Sequence, residues 1–464
     1  MQSPVTRSAD RRRAAYSYLL LGALLAVSGC GKLYVQDIAS DALDPSNLAD
    51  TEPSIAVNPR NPDEVAIVAF SENWTATKGA PVWKSPDRGV TWRKVPQIVQ
   101  PGPGVFGPGD QKIDFDGDGK LLVAELGLGG GVHDYVYRQT GLPDAPLTPG
   151  AAYGNDQPHL TVDKYPSSPH RATVYSPWLD FTLSLERSTV SWSTDEGATE
   201  HDVGAGDNSS FRNRTTRIAV AHDGSAYVVY KTREGTAGAP PNFENAHFRV
   251  NRSDDGGVTW TGLSAAGVPV NGPSPVQTWF TNTFGNPSKG KFARARSSDA
   301  WIATHPRRDE VYVAHVQLDA SGFGQIYVAR SNDRGNTWTA HRVTDGTHHS
   351  AYPEIAVTRH GVVGVLYIDY DDSGAATIFT HHFARSFDGG VTWHDTVLQS
   401  MDPTPIGNAS SGFLWGDYEG LTALHNTFYG VFTGASSGRS VQQLDPIFFR
   451  QKSCRWWWLW CWFD

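Results

Sequence analysis

Short runs of alternating apolar and polar residues recur along the chain, and each is followed within a few residues by a turn and a second such run. The copies are Ser54-Ile-Ala-Val57 with Glu64-Val-Ala-Ile-Val68, Lys112-Ile-Asp-Phe115 with Lys120-Leu-Leu-Val-Ala124, and His159-Leu-Thr-Val162 with Ala172-Thr-Val-Tyr175. Next come Arg217-Ile-Ala-Val220 with Ala226-Tyr-Val-Val-Tyr230, Trp301-Ile-Ala-Thr304 with Val311-Tyr-Val-Ala314, Glu354-Ile-Ala-Val357 with Val362-Val-Gly-Val-Leu366, and Gly420-Leu-Thr-Ala423 with Phe428-Tyr-Gly-Val431. A period of two bounded by Asn-Pro, Asp-Gly or His-Gly predicts a hairpin. Seven hairpins are therefore expected.

A third strand follows each hairpin, as in Ile326-Tyr-Val-Ala-Arg330 and His382-Phe-Ala-Arg385. In four units it runs into a fixed pattern: Ser85-x-Asp87-x-Gly89-x-Thr-Trp92, Ser253-x-Asp255-x-Gly257-x-Thr-Trp260, Ser331-x-Asp333-x-Gly335-x-Thr-Trp338 and Ser386-x-Asp388-x-Gly390-x-Thr-Trp393. A fifth copy at Ser193 has Glu200 in place of the Trp. The chemistry of the pattern is structural. The carboxylate accepts from backbone N–H groups of its own turn, the Gly takes positive φ, and the Trp packs between neighbouring strands. Two more segments, ending at Gln139 and Gln451, match the third strand without the turn. The aligned positions 85, 139, 193, 253, 331, 386 and 451 are 54 to 78 residues apart. Hairpin, third strand, turn and fourth strand make one propeller blade, and repetition at this period makes a propeller. The expected fold is all-β with seven blades, over residues 30–450. The last unit lacks a fourth strand, which Leu33-Tyr-Val-Gln36 is placed to supply.

The Ser-x-Asp-x-Gly-x-Thr-Trp pattern resembles the Asp-box (BNR) repeat of the sialidase superfamily. That resemblance covers about Glu52 to Arg450. It implies a propeller whose boxes lie away from the active site, and six blades as the alternative count. A sialidase would carry three arginines, an Asp acid/base and a Tyr nucleophile primed by a Glu. The first arginine would stand before the first inner strand, where this chain reads Glu52-Pro53-Ser54-Ile55. Between that point and the first box, from Ser71 to Lys84, there is no Asp. Arg214, Arg217, Arg294 and Arg296 remain for the triad, and Tyr352, or Tyr418 beside Glu419, for the nucleophile. The expectation is a glycoside hydrolase-like propeller acting on extracellular glycan and sparing sialosides, with an exo-sialidase and a non-catalytic glycan- or protein-binding propeller as alternatives.

Inner strands of a propeller begin at the mouth of its central channel, so their entry residues converge. Counting three back from the first apolar residue of each gives Glu52, Asp110, Gln157, Thr215, Asp299, Tyr352 and Tyr418, with Asp156, Arg214 and Asp417 as neighbours. These are the candidate site residues, rich in carboxylates for acid–base work. Several are equally suited to capping strand-edge amides. Asp114-x-Asp116-x-Asp118-Gly119 with Glu125 fits the spacing of a calcium loop, but it falls on a hairpin turn rather than between helices; calcium is the one cofactor it admits. The pairs His348-His349 and His381-His382 point to opposite strand faces and are not expected to share a metal.

Composition narrows the partners. The 464 residues include 39 Lys+Arg and 48 Asp+Glu, for a net charge of −9, which argues against nucleic acid. Arg11 to Arg13, an apolar run and Val27-Ser28-Gly29-Cys30 resemble a lipoprotein signal, implying lipid on Cys30, removal of residues 1–29 and an envelope location. No cysteine lies between Gly31 and Ser453, so the body must rest on its packed core, without disulfides. The tail at 451–464, with five Trp in nine residues, is expected to lie outside the fold. A monomer is expected.

Overall fold

A computed structural model describes residues 31–39, 43, 50–70, 79–129, 131–180, 187–206, 211–234, 247–263, 300–320, 323–371, 373–374, 378–402, 418–436 and 444–453. The signal segment with Cys30, the residues Arg294, Arg296, Asp299 and Asp417, and residues 454–464 of the tail lie outside them, whereas Gln451 and Lys452, expected outside the fold, belong to the last strand, Leu444–Lys452.

The described strands form seven four-stranded antiparallel sheets. Six are built from consecutive strands; the seventh takes three strands from the C-terminal part and its fourth, Tyr34–Asp37, from the other end of the chain. That strand pairs Tyr34 with Arg450 and Asp37 with Ile447. The first strand of each sheet touches the first strand of the next, and the seventh touches the first, so the sheets close into a ring. The fold is thus the all-β seven-bladed propeller that the repeat count gives. The count of six is set aside.

Alternation explains the packing. Each sheet is covered on both faces by its neighbours, and apolar residues on facing strands interlock. Val68, Val82, Phe115 and Val123 meet between the first and second blades, and Val316, Val328, Val357 and Val365 between the fifth and sixth. The seam between the sixth and seventh blades is aromatic, with Phe383, Phe428, Phe432 and Phe449 packed together, and the ring closes where Tyr429, Val431 and Phe448 of the seventh blade meet Ile55, Val57 and Trp83 of the first.

The five Ser-x-Asp turns have one geometry. In the first, the Ser85 hydroxyl donates to Asp87 Oδ1 (2.8 Å) and accepts from Gly89 N (2.7 Å). Asp87 accepts from Thr91 N (2.8 Å) and the Thr91 hydroxyl (2.7 Å), and Trp92 Nε1 donates to the Gly89 carbonyl (3.2 Å). The expectation of fully buried Trp rings is corrected: Trp92, Trp260, Trp338 and Trp393 are half-buried, lying over blade cores from outside. The turn's own carbonyl holds the ring edge at the surface.

Candidate functional site at the propeller axis

The inner strands are Thr51–Val57, Phe106–Phe115, Thr161–Val162, Phe211–Val220, Trp301–Thr304, His349–Val357 and Gly420–Leu424. Four of them break register at the same place, between Thr51 and Ser54, Gly109 and Lys112, Arg214 and Arg217, and Ala351 and Glu354. Each break sets three residues against two, a bulge with one extra residue. Glu52, Asp110, Gln157 and Tyr352 have φ of 53°, 46°, 51° and 51°. A left-handed backbone at four non-glycine entry positions is strain repeated around one axis.

The bulge selects what faces the axis. Beyond it stand Ser54, Lys112, His159, Arg217, Trp301 and Glu354, one per blade, all at most one-tenth exposed. Lys112 Nζ lies 3.4 Å from the centroid of the Tyr418 ring and 4.3 Å from that of Trp301, with Glu354 Oε1 at 4.0 Å. The Arg217 guanidinium carbon lies 4.8 Å from the Trp301 centroid and 6.0 Å from that of Tyr418. Two cations thus share two aromatic rings. Tyr418 Oη donates to the Gln111 carbonyl (3.1 Å).

Burial governs the protonation of this ring. It holds the Lys112 ammonium down to about 7, opposed by Glu354 and aided by Arg217. It pushes Glu354 up to about 8 against the pull of Lys112 and Arg217. Burial pushes the Tyr418 phenol up, with Glu52 and Asp110 adding to it, and drives His159 down, with Lys112 and Arg217 adding. Glu419 is pushed up by burial; it accepts from Thr433 N (2.8 Å) and lies 3.3 Å from His381 Nε2. It does not bond Tyr418, so the proposed nucleophile–base pair is not assembled.

Carboxyls crowd the entry side of the ring. Glu125, fully buried, accepts from Gln111 Nε2 (2.9 Å), and burial raises it well above the usual range. Asp134 is fully buried and neither of its carboxyl oxygens accepts a hydrogen bond among the described residues. Burial raises it well above the carboxylate range, and the charges of Asp156 and Asp110 raise it further. Gly154, at φ +53°, lies against it; a Cβ there would come within 2.2 Å of Asp134 Oδ2.

Some of the entry positions named from the sequence come together. The structure gathers Glu52, Asp110 and Tyr418 around Lys112, and joins Asp156 to Asp110 through Asp134. Tyr352 sits buried at its bulge. Arg214 pairs with Lys231 in the strand, and its side chain lies outside the description. The residues missed were Lys112, Glu354, Asp134 and Glu125. Of these, Lys112 and Glu354 carried a signal: both stand one residue before the first apolar position of their strands.

The calcium-like turn is a plain hairpin here. Asp116 accepts from Asp118 N and Lys120 N, both at 2.8 Å, and Asp118 pairs with Arg60 and Arg171. Asp114 accepts from Val162 N (3.0 Å) and pairs with Lys164, and Glu125 points to the axis. Among the described residues no three His, Cys, Asp or Glu converge as metal ligands. In one of the histidine pairs the rings take opposite sides: His381 faces Glu419, and His382 faces Asp395 at 2.7 Å.

Beyond the ring, towards the ends of the inner strands, the channel encloses about 240 Å³. Lys112, His159, Trp301 and Glu354 line its inner end, and Thr304, Asp114 and Lys164 lie further along. Side chains of one blade cap the free edge of another: Ile113 N donates to Ser54 Oγ (3.3 Å), and the Thr304 hydroxyl donates to the Val220 carbonyl (2.7 Å).

No protein-family model matches the chain, and no curated protein matches it. Solved structures do share its architecture. An ulvan lyase from a new family of polysaccharide lyases superposes with a TM-score of 0.51 at 11% identity, over 86% of this chain and 94% of its own. A Hadza microbial sialidase gives 0.43 at 15% identity over 90% and 68%, and the endosialidase of phage phi92 gives 0.46 at 12% over 92% and 69%. At these identities the likeness is one of fold alone.

Proposed function

We propose that this chain is an exported Asp-box propeller that cleaves neutral glycans at the entry side of its axis, with Asp110 and Asp156 touching substrate. The observation that carries the reading is Asp134, a fully buried carboxyl with no hydrogen bond to either oxygen among the described residues, set in the field of Asp110 and Asp156. Of three carboxyls in one field, one is raised well above the carboxylate range by burial and by the charges of the other two, so both protonation states are at hand. One then offers an acid's proton while another stays ionised as a base, which is what glycosidic cleavage needs. Asp110 and Asp156 are half-buried and reachable, whereas Asp134 acts behind them as a positioning residue. The glycan-cleaving neighbours in the same fold are consistent with this reading.

Neutral sugars are favoured because carboxyls dominate the entry side, while Lys112 and Arg217 are enclosed by rings and Glu354. The test is hydrolysis of a panel of neutral glycosides beside a fluorogenic sialoside. We expect turnover of a neutral substrate that falls by about 10²–10⁴ in Asp110→Asn or Asp156→Asn. Robust sialoside cleavage surviving both changes would overturn it.

A second reading, a non-catalytic propeller binding glycan or envelope protein, is favoured by the burial of Glu52, Gln157, Tyr352 and Tyr418, which leaves little of the entry exposed. Binding without turnover on any sugar would select it. In either case we propose a lipid anchor on Cys30; a Cys30→Ser chain should move from the membrane to the soluble envelope fraction. Adding calcium to the panel tests whether a cation assists.

A further inference from the structure

Among the described residues Lys84, Lys112 and Lys231 are buried, and the first two are held differently. Lys84, almost fully buried, is ion-paired to Glu64. Lys112 is as deeply buried, yet its carboxylate neighbour Glu354 stands at 4.0 Å, longer than the roughly 2.7–2.9 Å of a hydrogen-bonded ion pair. Its remaining neighbours are the faces of Tyr418 and Trp301, and Arg217 shares those rings. The ring faces favour the ammonium, but lost hydration, the absence of a hydrogen-bonded counterion among the described residues and the charge of Arg217 outweigh them and favour the neutral amine. The other groups in its field are Glu52 and Asp110 on the entry side, and neutral His159 on the channel wall.

Access comes from the other direction. The channel cavity of about 240 Å³ reaches Lys112 and Glu354 together. At about 30 Å³ for each water, that space takes about eight waters, or one small carbonyl compound. Glu354 stands on the same wall and keeps its proton through neutrality, so an amine and an acid face one cavity.

We infer that Lys112 is a nucleophilic lysine that condenses with a small aldehyde entering the channel from the end opposite the carboxyl-rich entry. The lone pair of Nζ attacks the carbonyl carbon, and the C=O π pair moves to oxygen, which takes the proton of Glu354. The ammonium nitrogen of the adduct returns a proton to Glu354. The hydroxyl then leaves as water with that proton while the nitrogen pair forms the C=N bond. An iminium on Lys112 and a carboxylate on Glu354 remain, and hydrolysis reverses each step. None of the entry carboxyls takes part, so this inference stands apart from the glycan reading.

The test is reductive trapping on the full chain. Protein is incubated with glycolaldehyde and cyanoborohydride, digested and mapped by mass spectrometry. At pH 7 the Lys112 peptide should be labelled at least about tenfold faster than the exposed Lys32, and that advantage should shrink at pH 10, where every lysine has free amine. Lys84, buried but paired, is the internal control and should stay unlabelled while the protein is folded. Glu354→Gln should slow the labelling at least about tenfold with the melting curve retained. A Lys112 peptide labelled no faster than Lys84, or unmodified while surface lysines react, overturns the proposal. So does labelling that Glu354→Gln leaves unchanged.

Discussion

Two sets of carboxylates run around this propeller, and they are treated in opposite ways. Those of the Ser-x-Asp turns sit near solvent, each engaged by the same Ser and Thr. Those at the axis are more deeply enclosed and differ from blade to blade. Asp333 is held below its ordinary value chiefly by the Thr337 hydroxyl and amide. Asp388 falls to about 2, since the bonds from Thr392, Ser386 and Val391 outweigh the desolvation that opposes them. At the axis desolvation wins, and Glu354, Glu125 and Asp134 rise. Where every copy of a repeat carries the same residue, the residue builds the repeat. Where one register position carries Ser, Lys, His, Arg, Trp and Glu in turn, the blades have diverged, as the proposed site requires.

The sharpest way to break this division is to exchange roles. Asp134→Asn should lower turnover on a neutral glycan by about 10² or more and shift its pH profile, with melting little changed. The matching change Asp255→Asn should lower the melting temperature and leave the activity of the folded fraction intact. Activity lost in the turn variant at unchanged melting would merge the two classes.

Next in size are the Trp rings. A fully buried aromatic costs about 3–5 kcal/mol on truncation, and half-burial brings Trp260→Ala and Trp338→Ala to about 2–3 kcal/mol each. Chemical denaturation measures this, and a loss under about 1 kcal/mol would show that the rings decorate the turns rather than close them.

The pH dependence of stability separates the sets further. Asp388 binds its proton less tightly folded than unfolded. Its contribution is therefore present above the unfolded value of 3.8 and is lost as pH falls through about 2. Acid titration of wild type against Asp388→Asn should converge below that window.

The smallest effect belongs to Glu200, which stands where the fifth turn lacks its Trp. Burial, then Asp202 and Asp195, raise it to about 8. Its raised value makes the folded state lose stability as pH climbs from 4.5 towards 8. Glu200→Gln should thus melt a few degrees higher at pH 8 and the same at pH 4 (about 1 kcal/mol after allowing for solvent).

Much of the architecture was legible because it is written seven times. The hairpins, the turns and even the closing strand at Tyr34 follow from alternation and spacing. The axis was half legible. Counting three residues back found Glu52, Asp110 and Tyr418, but in an unbroken strand the residue one back would share their face. The bulge inserts one residue and reverses the side, so Lys112 and Glu354, one residue back, form the ring. A bulge made by Glu, Asp or Tyr at positive φ has no glycine to announce it. Asp134 was hidden for another reason: it lies on a third strand, outside the repeat position being compared.

The strand Tyr34–Asp37 completes the blade that ends at Lys452, so the first and last described stretches of the chain share a single sheet. More than four hundred residues separate Tyr34 from its partner Arg450, and the entropy of closing that loop is regained only when the ring shuts. Six blades are local products of synthesis; the seventh is a latch that waits for both ends. Damage to either stretch is therefore expected to reach the same place: trimming residues 31–37 should open the ring, as should removal of 444–453.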